Sequence, residues 1–218
     1  LEAALRAMAE SKVDLGILTE AKLTDGIHTR YAFGYRVLAT SARDHRQGGL
    51  ALFYRDDPSW HVESVRMHGA NVLSFQLVTG PTRYFVVGAY LPPTDLHHLE
   101  ILSQVLNEIP PDATLVVLGD LNADLSNPRD ARARDVADTL ATTGLEDLLL
   151  HFPQRRKYFH RCTWYQKRGN ELNRSRCDYI LGTDRRIFRN VRISDPRLFS
   201  TDHYMVAGEL LAAPQRDN

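Results

Sequence analysis

Cysteine is scarce in this chain: Cys162 and Cys177 are the only two among 218 residues. Two thiols cannot build a disulfide framework, and no Cys/His spacing of a structural zinc site occurs. Long apolar runs are missing as well. None approaches the roughly 18 consecutive residues that a membrane-crossing helix needs, and no secretory leader pattern is visible. These absences set the expectation of a protein without membrane attachment, nuclear or otherwise intracellular and not secreted, whose two thiols stay reduced. Net charge is also absent, 27 Lys/Arg balancing 27 Asp/Glu, which argues against gripping a polyanion through a charged tail. Neither an internal repeat nor a linker interrupts the pattern, so a single domain over 1–218 is expected. The first residue is Leu1 rather than Met, and the chain is expected to be a piece of a longer polypeptide. What is present is ordinary for a globular domain: 43% hydrophobic and 25% charged residues suffice for a core without staples.

The balanced total hides an uneven distribution. From His151 to Arg192 twelve Lys/Arg face three acids, whereas from Asp95 to Leu150 eleven acids face three arginines. The basic block could give one side of the fold a positive surface; the other reading is that the two blocks cancel in space.

Hydrophobic periodicity predicts a helix over Leu1–Ser11, with Leu1, Ala4, Leu5 and Met8 on one face, leading into a strand over Val13–Thr19 that ends at Glu20. Strands follow at Tyr35–Ser41, Gly49–Arg55, His61–Met67, Asn71–Thr79 and Tyr84–Tyr90, punctuated by Gly, Pro and Asp turns. Asp95 is an N-cap for a helix through Ile109, and a second helix runs from Ala131 to Thr143. Leu145–Leu150 is a short apolar segment, and Tyr204–Leu210 is the last strand.

The run Leu115-Val116-Val117-Leu118 reads as a fully buried strand, followed by Gly119-Asp120-Leu121-Asn122. Alternation along a strand lets Asp120 and Asn122 point the same way, towards a site at the strand's C-terminal end; the same residues also fit an Asx-rich turn. Glu20 and Lys22 share a side if the chain there stays extended. Tyr90 leaves its strand ahead of Pro92-Pro93, and Asp202-His203 precedes the last strand.

In the last third, Gly169-Asn170 is a two-residue turn between Arg161–Tyr165 and Asn173–Leu181. A tight turn sets Thr163 opposite Arg176, Arg161 opposite Asp178 and Cys162 opposite Cys177. Thr163, Arg176 and Asp178 would then face a cleft, with Trp164 and both cysteines towards the core. The cysteine pair is read as reduced, a cross-strand disulfide being the other arrangement this register allows.

Five segments, in order along nearly the whole chain, resemble motifs of the endonuclease/exonuclease/phosphatase superfamily, the metal-dependent phosphoesterases related to apurinic/apyrimidinic endonucleases and DNase I. They are Glu20-Ala21-Lys22, Tyr90-Leu91-Pro92-Pro93, Gly119-Asp120-Leu121-Asn122, Arg176-Cys177-Asp178-Tyr179-Ile180-Leu181 and Thr201-Asp202-His203. Leu121 stands where Phe is common, Thr201 where Ser is, and Met205 where Pro is frequent. Thr163-Trp164, a hairpin and then Asp178 are similar to the endonuclease domains of non-long-terminal-repeat retrotransposons.

The resemblance implies an α/β four-layer sandwich, two packed mixed β-sheets with helices outside, and Mg²⁺-dependent nicking of DNA (Mn²⁺ as substitute) that leaves a 3′-hydroxyl. Glu20 would be the main metal ligand, with Asp202 nearby. Asp120 would orient or deprotonate water, Asn122 would hydrogen-bond phosphate or that water, and Tyr90 would serve the phosphate or the leaving group. His203, held by Asp178, would contact the scissile phosphate. Substrate contacts would come from Lys22, Thr163 and Arg176, and from Lys167, Arg168, Asn170 and Arg174 on the hairpin. Gln166, Asn173 and Ser175 would populate the same ribbon, and Arg155, Arg156, Lys157 and Arg161 would extend a positive track. The partner is DNA, and the longer polypeptide would carry a reverse transcriptase. The family also has a strand before the first helix, bearing an asparagine near the metal. No residue here supplies it, so the domain is expected to lack its first strand. The other readings are a small-molecule or lipid phosphatase, which suits the neutral net charge, and a metal-dead DNA-binding domain.

Overall fold

A computed structural model describes residues 1–24, 28–42, 48–155, 161–195 and 201–211. It builds two sheets face to face. The first is four-stranded and antiparallel, in the order β1 (Leu15–Thr19), β4 (Leu50–Tyr54), β3 (Tyr35–Ala39), β2 (His28–Ala32). The second is six-stranded, in the order β5 (Trp60–Met67), β6 (Val72–Thr79), β7 (Thr82–Tyr90), β8 (Thr114–Asp120), β12 (Asp178–Gly182), β9 (Glu146–Asp147). Here β7 and β8 run parallel, so this sheet is mixed, while the described strands of the first pair antiparallel. The hairpin β10 (Trp164–Arg168) with β11 (Glu171–Ser175) and the pair β13 (Phe188–Ser194) with β14 (Met205–Leu210) complete the strands.

Layering follows from alternation. In β4, Leu50, Leu52 and Tyr54 pack against Leu73, Phe75 and Leu77 of the second sheet, while Ala51 and Phe53 meet Leu5, Ala7 and Met8 of helix α1 (Glu2–Glu10) on the other side. In β8, Leu115 and Val117 face helices α2 (His97–Asn107) and α3 (Ala131–Ala141), while Val116 faces inward with Ile180, Phe188 and Val191. Apolar residues on both faces of β4 and β8 are what a strand sandwiched between two layers requires. The result is helix, sheet, sheet, helices: an α/β four-layer sandwich.

The expected elements are present with shifted ends. Asp95 caps its turn by accepting from the His97 amide at 2.9 Å, and the N-cap position itself falls on Leu96. Leu145–Leu150 divides into the two-residue β9 and a 3₁₀ turn at Leu148–His151. The strands β2 and β13 were not foreseen; among the described residues β2 pairs only with β3, and in β13 Arg189, Asn190 and Arg192 interrupt the apolar positions. The hairpin register holds from Trp164–Ser175 to Arg168–Glu171. It ends there: β12 leaves the ribbon for the large sheet, so the continuous strand expected over Asn173–Leu181 is two strands.

A cleft of about 2140 Å³ runs between the layers, lined along its length by β1, β14 and the inner faces of β7 and β8. Among the described residues β1 pairs only with β4 and β14 only with β13.

At the mouth of this cleft the backbone of β8 passes so close to β7 that a Cβ on Gly119, at φ +145°, would stand 1.9 Å from the Ala89 carbonyl oxygen. Gly119→Ala should therefore cost about 3 kcal/mol or more, from a left-handed backbone combined with a backbone clash. Urea unfolding followed by circular dichroism would measure it; a loss below about 1 kcal/mol would show that the two strands can part freely there.

Candidate active site

Three adjacent strands end level with one another. Tyr90 is paired with Asp120 in the parallel β7–β8 ladder, and Asp120 with Asp178 in the antiparallel β8–β12 ladder. Three side chains in one row of a sheet share a face, here the face towards the cleft, which all three line. From the opposite layer come Glu20, just past β1, and His203, just before β14.

Asp120 is buried. Its Oδ1 accepts from the Asn122 amide at 2.9 Å and its Oδ2 from Asn122 Nδ2 at 3.2 Å. This closeness arises from a local turn rather than strand alternation, since β8 stops at Asp120 and Asn122 is left-handed at φ 46°. Burial and the neighbouring Asp178 charge raise the Asp120 carboxyl to about 7, with the Asn122 amide and His203 opposing and Glu20 adding. His203 Nδ1 lies 2.9 Å from Asp178 Oδ2. Burial alone would lower its basicity; the hydrogen bond and charge of Asp178, with Asp120 and Asp202, outweigh it and lift the imidazole to about 9.

Glu20 Oε1 accepts from the Tyr90 hydroxyl at 2.5 Å, and Oε2 stands 3.1 Å from Lys22 Nζ. Both Glu20 and Lys22 have positive φ, 52° and 56°, so the segment is not the extended one expected, yet acid and base still meet. Such backbone is uncommon outside glycine and concentrates at sites. Burial, and then Glu20, push the Tyr90 phenol far above its usual range, keeping it a donor.

Asp202 is exposed and its Oδ2 accepts from the Trp164 indole at 2.9 Å. The 202–204 segment is strapped to β10: Tyr165 N donates to Asp202 O at 3.0 Å, and Tyr204 N to Thr163 O at 2.6 Å. Trp164 thus faces the cleft, not the core, a correction to the alternation drawn from the sequence; the ribbon peels away from β12 and turns that face outward.

Two expected substrate contacts are structural instead. Thr163 is fully buried, and its Oγ1 accepts from the Cys177 and Asp178 amides at 3.0 Å each. Arg176 is buried, 2.5 Å from Asp147 Oδ1 and stacked 4.7 Å over the Tyr179 ring. A guanidinium so enclosed is unavailable to a phosphate, and the ribbon's end at Ser175 is what turns it inward. Lys167, Arg168, Asn170 and Arg174 are exposed on the hairpin. Cys162 and Cys177 are both free and buried. Arg155 lines the cleft, whereas Arg156 and Lys157 lie outside the described residues. Arg132, unforeseen, donates to the Leu91 carbonyl at 2.9 Å, and its charge reaches Tyr90 and interacts with that of Asp120. Nothing local in the sequence marked it, because helix α3 meets that strand end only in the fold.

Asp120, Asp178 and His203 present ligand atoms all within 4.8 Å of one another. With Glu20 and Asp202 lining the same cleft, carboxylate oxygens gather at its mouth, a setting that suits a divalent cation. The family model that matches residues 1–203 is the Endonuclease/Exonuclease/phosphatase family. The chain belongs to this family. Its members are metal-dependent hydrolases of phosphoester bonds. Among solved structures the chain is similar to the endonuclease domain of TRAS1, a telomere-specific non-LTR retrotransposon, at TM-score 0.72 and 21% identity over 96% of this chain and 91% of that one. It is also similar to D. rerio TDP2 complexed with single-strand DNA product (0.59, 18%, 94% and 88%). A third is the Bacteroides thetaiotaomicron mannosyl-6-phosphatase Bt3783 (0.62, 14%, 96% and 90%). At these identities the likeness shows the DNase I-like fold. No curated protein matches the sequence.

The Asp178–His203 contact yields a signed prediction. A raised folded-state value means the pair stabilises the protein fully below about 6.5, the ordinary histidine value, and loses that contribution as pH rises through about 9. An NMR titration of His203 should show a midpoint near 9 that falls in Asp178→Asn; a wild-type midpoint at or below the ordinary value would refute the contact's role.

Proposed function

We propose that this domain nicks one strand of duplex DNA by divalent-cation-dependent hydrolysis, leaving a 3′-hydroxyl, as the target-cutting part of a retrotransposon polypeptide that also carries a reverse transcriptase. The observation that carries the reading is the meeting of Tyr90, Asp120, Asp178 and His203 at one cleft mouth beside an exposed basic ribbon.

An acid at about 7 is half-ionised at neutral pH, suited to taking a proton from an attacking water. Asn122 holds that carboxylate by amide and side chain, leaving it oriented. His203, cationic below about 9, offers its free ring nitrogen to a phosphate oxygen while Asp178 fixes the other. Tyr90 stays protonated and can donate to the departing oxygen. Glu20 and Asp202 would hold Mg²⁺ or Mn²⁺; when bound, the cation neutralises charge developing on the phosphoryl oxygens. On the ribbon, Lys167, Arg168 and Arg174 suit phosphates and Asn170 a base edge or backbone. A target-cutting role of this kind would be carried out in the nucleus or elsewhere inside the cell; among the described residues no helix is long and apolar enough to cross a membrane.

Asp120→Ala should abolish nicking of supercoiled plasmid while DNA binding survives, and EDTA should stop the wild type. Unchanged cleavage by the variant would refute the assignment. The rival within the family, hydrolysis of a small phosphomonoester, needs no basic ribbon; wild-type turnover of such esters without nicking would favour it.

We also propose that the sandwich is closed by one further extended segment between β1 and β14. Supporting it are the two strand edges on one cleft and the half-buried Leu15, Ile17 and Val206 along them. In a polypeptide carrying residues ahead of Leu1, amide exchange at β1 and β14 should slow; equal exchange with and without them would end this reading.

A further inference from the structure

One buried amide joins the segment that carries Glu20 to the strand that carries Tyr90. Asn71, in the turn before β6, is 4% exposed. Its Oδ1 accepts from the Gly49 amide at 2.9 Å, and its backbone carbonyl accepts from the Tyr90 amide at 2.8 Å. The carbonyls of Gly49 and Gly48 in turn accept from the amides of Ala21 and Lys22, each at 3.0 Å. The ring of contacts closes where the Tyr90 hydroxyl donates to Glu20.

The geometry allows little slack. Gly48 and Gly49 have φ of 84° and 82°, a path that side chains resist, and a Cβ on Gly48 would stand 3.0 Å from Asn71 Oδ1. Thr40 straps the same junction, accepting from the Leu50 amide at 2.7 Å and donating to the Ala70 carbonyl at 2.5 Å. Among the described residues the facing strands of the two sheets otherwise pack through apolar side chains, which do not fix one height of one layer over the other. A satisfied buried polar contact does, because sliding would leave the Gly49 amide without its acceptor.

We propose that Asn71 is a positioning residue for the Glu20–Tyr90 pair: through Gly48-Gly49 its side chain sets where the Glu20 carboxylate stands over the row of Tyr90, Asp120 and Asp178. Asn71 acts without touching substrate. The consequence for metal holding rests on the reading of Glu20 given above.

Asn71→Ala removes the acceptor, and Asn71→Asp keeps an oxygen where Gly49 needs one. In metal-free protein labelled with ¹³Cζ tyrosine, the Tyr90 resonance, assigned by its loss in Tyr90→Phe, should shift in N71A and return towards wild type in N71D. Mn²⁺ affinity, titrated by electron paramagnetic resonance, should fall about tenfold or more in N71A, kcat for nicking should fall with it, and KM should change less than about threefold. N71D should recover part of each. An N71A protein that melts lower yet keeps the wild-type Tyr90 resonance and Mn²⁺ affinity would overturn the proposal and leave Asn71 a strut. Should N71A fail to fold, Asn71→Ser, too short to reach Gly49, takes its place in the same comparison. Mn²⁺ affinity indifferent to Glu20→Gln would instead overturn the reading of Glu20, and the Tyr90 resonance would still decide for or against positioning.

Discussion

The close passage of β8 between β7 and β12 is the constraint on which the site depends. Parallel pairing on one side and antiparallel pairing on the other bring Tyr90, Asp120 and Asp178 level across one row. Only glycine at 119 lets the backbone come so near Ala89. With the row fixed, the opposite layer has only to deliver one carboxylate and one imidazole. Glu20 arrives at the end of β1, and His203 on a segment strapped to β10. Tyr90, Asp120 and Asp178 thus leave paired strands rather than free loops, which sets their positions relative to one another.

Electrostatics at the cleft mouth come from crowding. Asp120 is buried beside a second acid and resists ionisation, whereas His203, against that same second acid, resists losing its proton. Both are pushed upward, the carboxyl to about 7 and the imidazole to about 9, so near neutral pH the acid can take a proton while the imidazole keeps its own. The surrounding basic block is partly consumed within the fold: Arg176 pairs with Asp147, Arg186 with Asp184, and Arg192 with Glu209. What stays exposed on the hairpin is a smaller set, Lys167, Arg168 and Arg174, than composition implied.

Much of the architecture was legible because burial leaves a mark on sequence. Runs apolar on both faces, such as Leu115–Leu118 and Leu50–Tyr54, belong to strands covered twice, and the hairpin announced itself through Gly169-Asn170. The strands β2 and β13 were not legible, since polar and charged residues interrupt their alternation and tertiary pairing supplies what propensity does not. Thr163 and Arg176 show the converse. Their residue types suit phosphate binding, and only the exit of β12 from the ribbon turns both into supports.

By itself the sequence determined which residue types stand at strand ends, because local pattern and turn chemistry are written along the chain. Which of those ends would be neighbours was settled by tertiary structure alone: Glu20 and Tyr90 lie 70 residues apart and share a proton contact, and Asn71 joins them through hydrogen bonds that no local rule encodes. The reason is physical. Periodicity fixes the face a side chain takes on its own element, whereas the height of one sheet over another is set by the few buried polar groups that must all be satisfied at once.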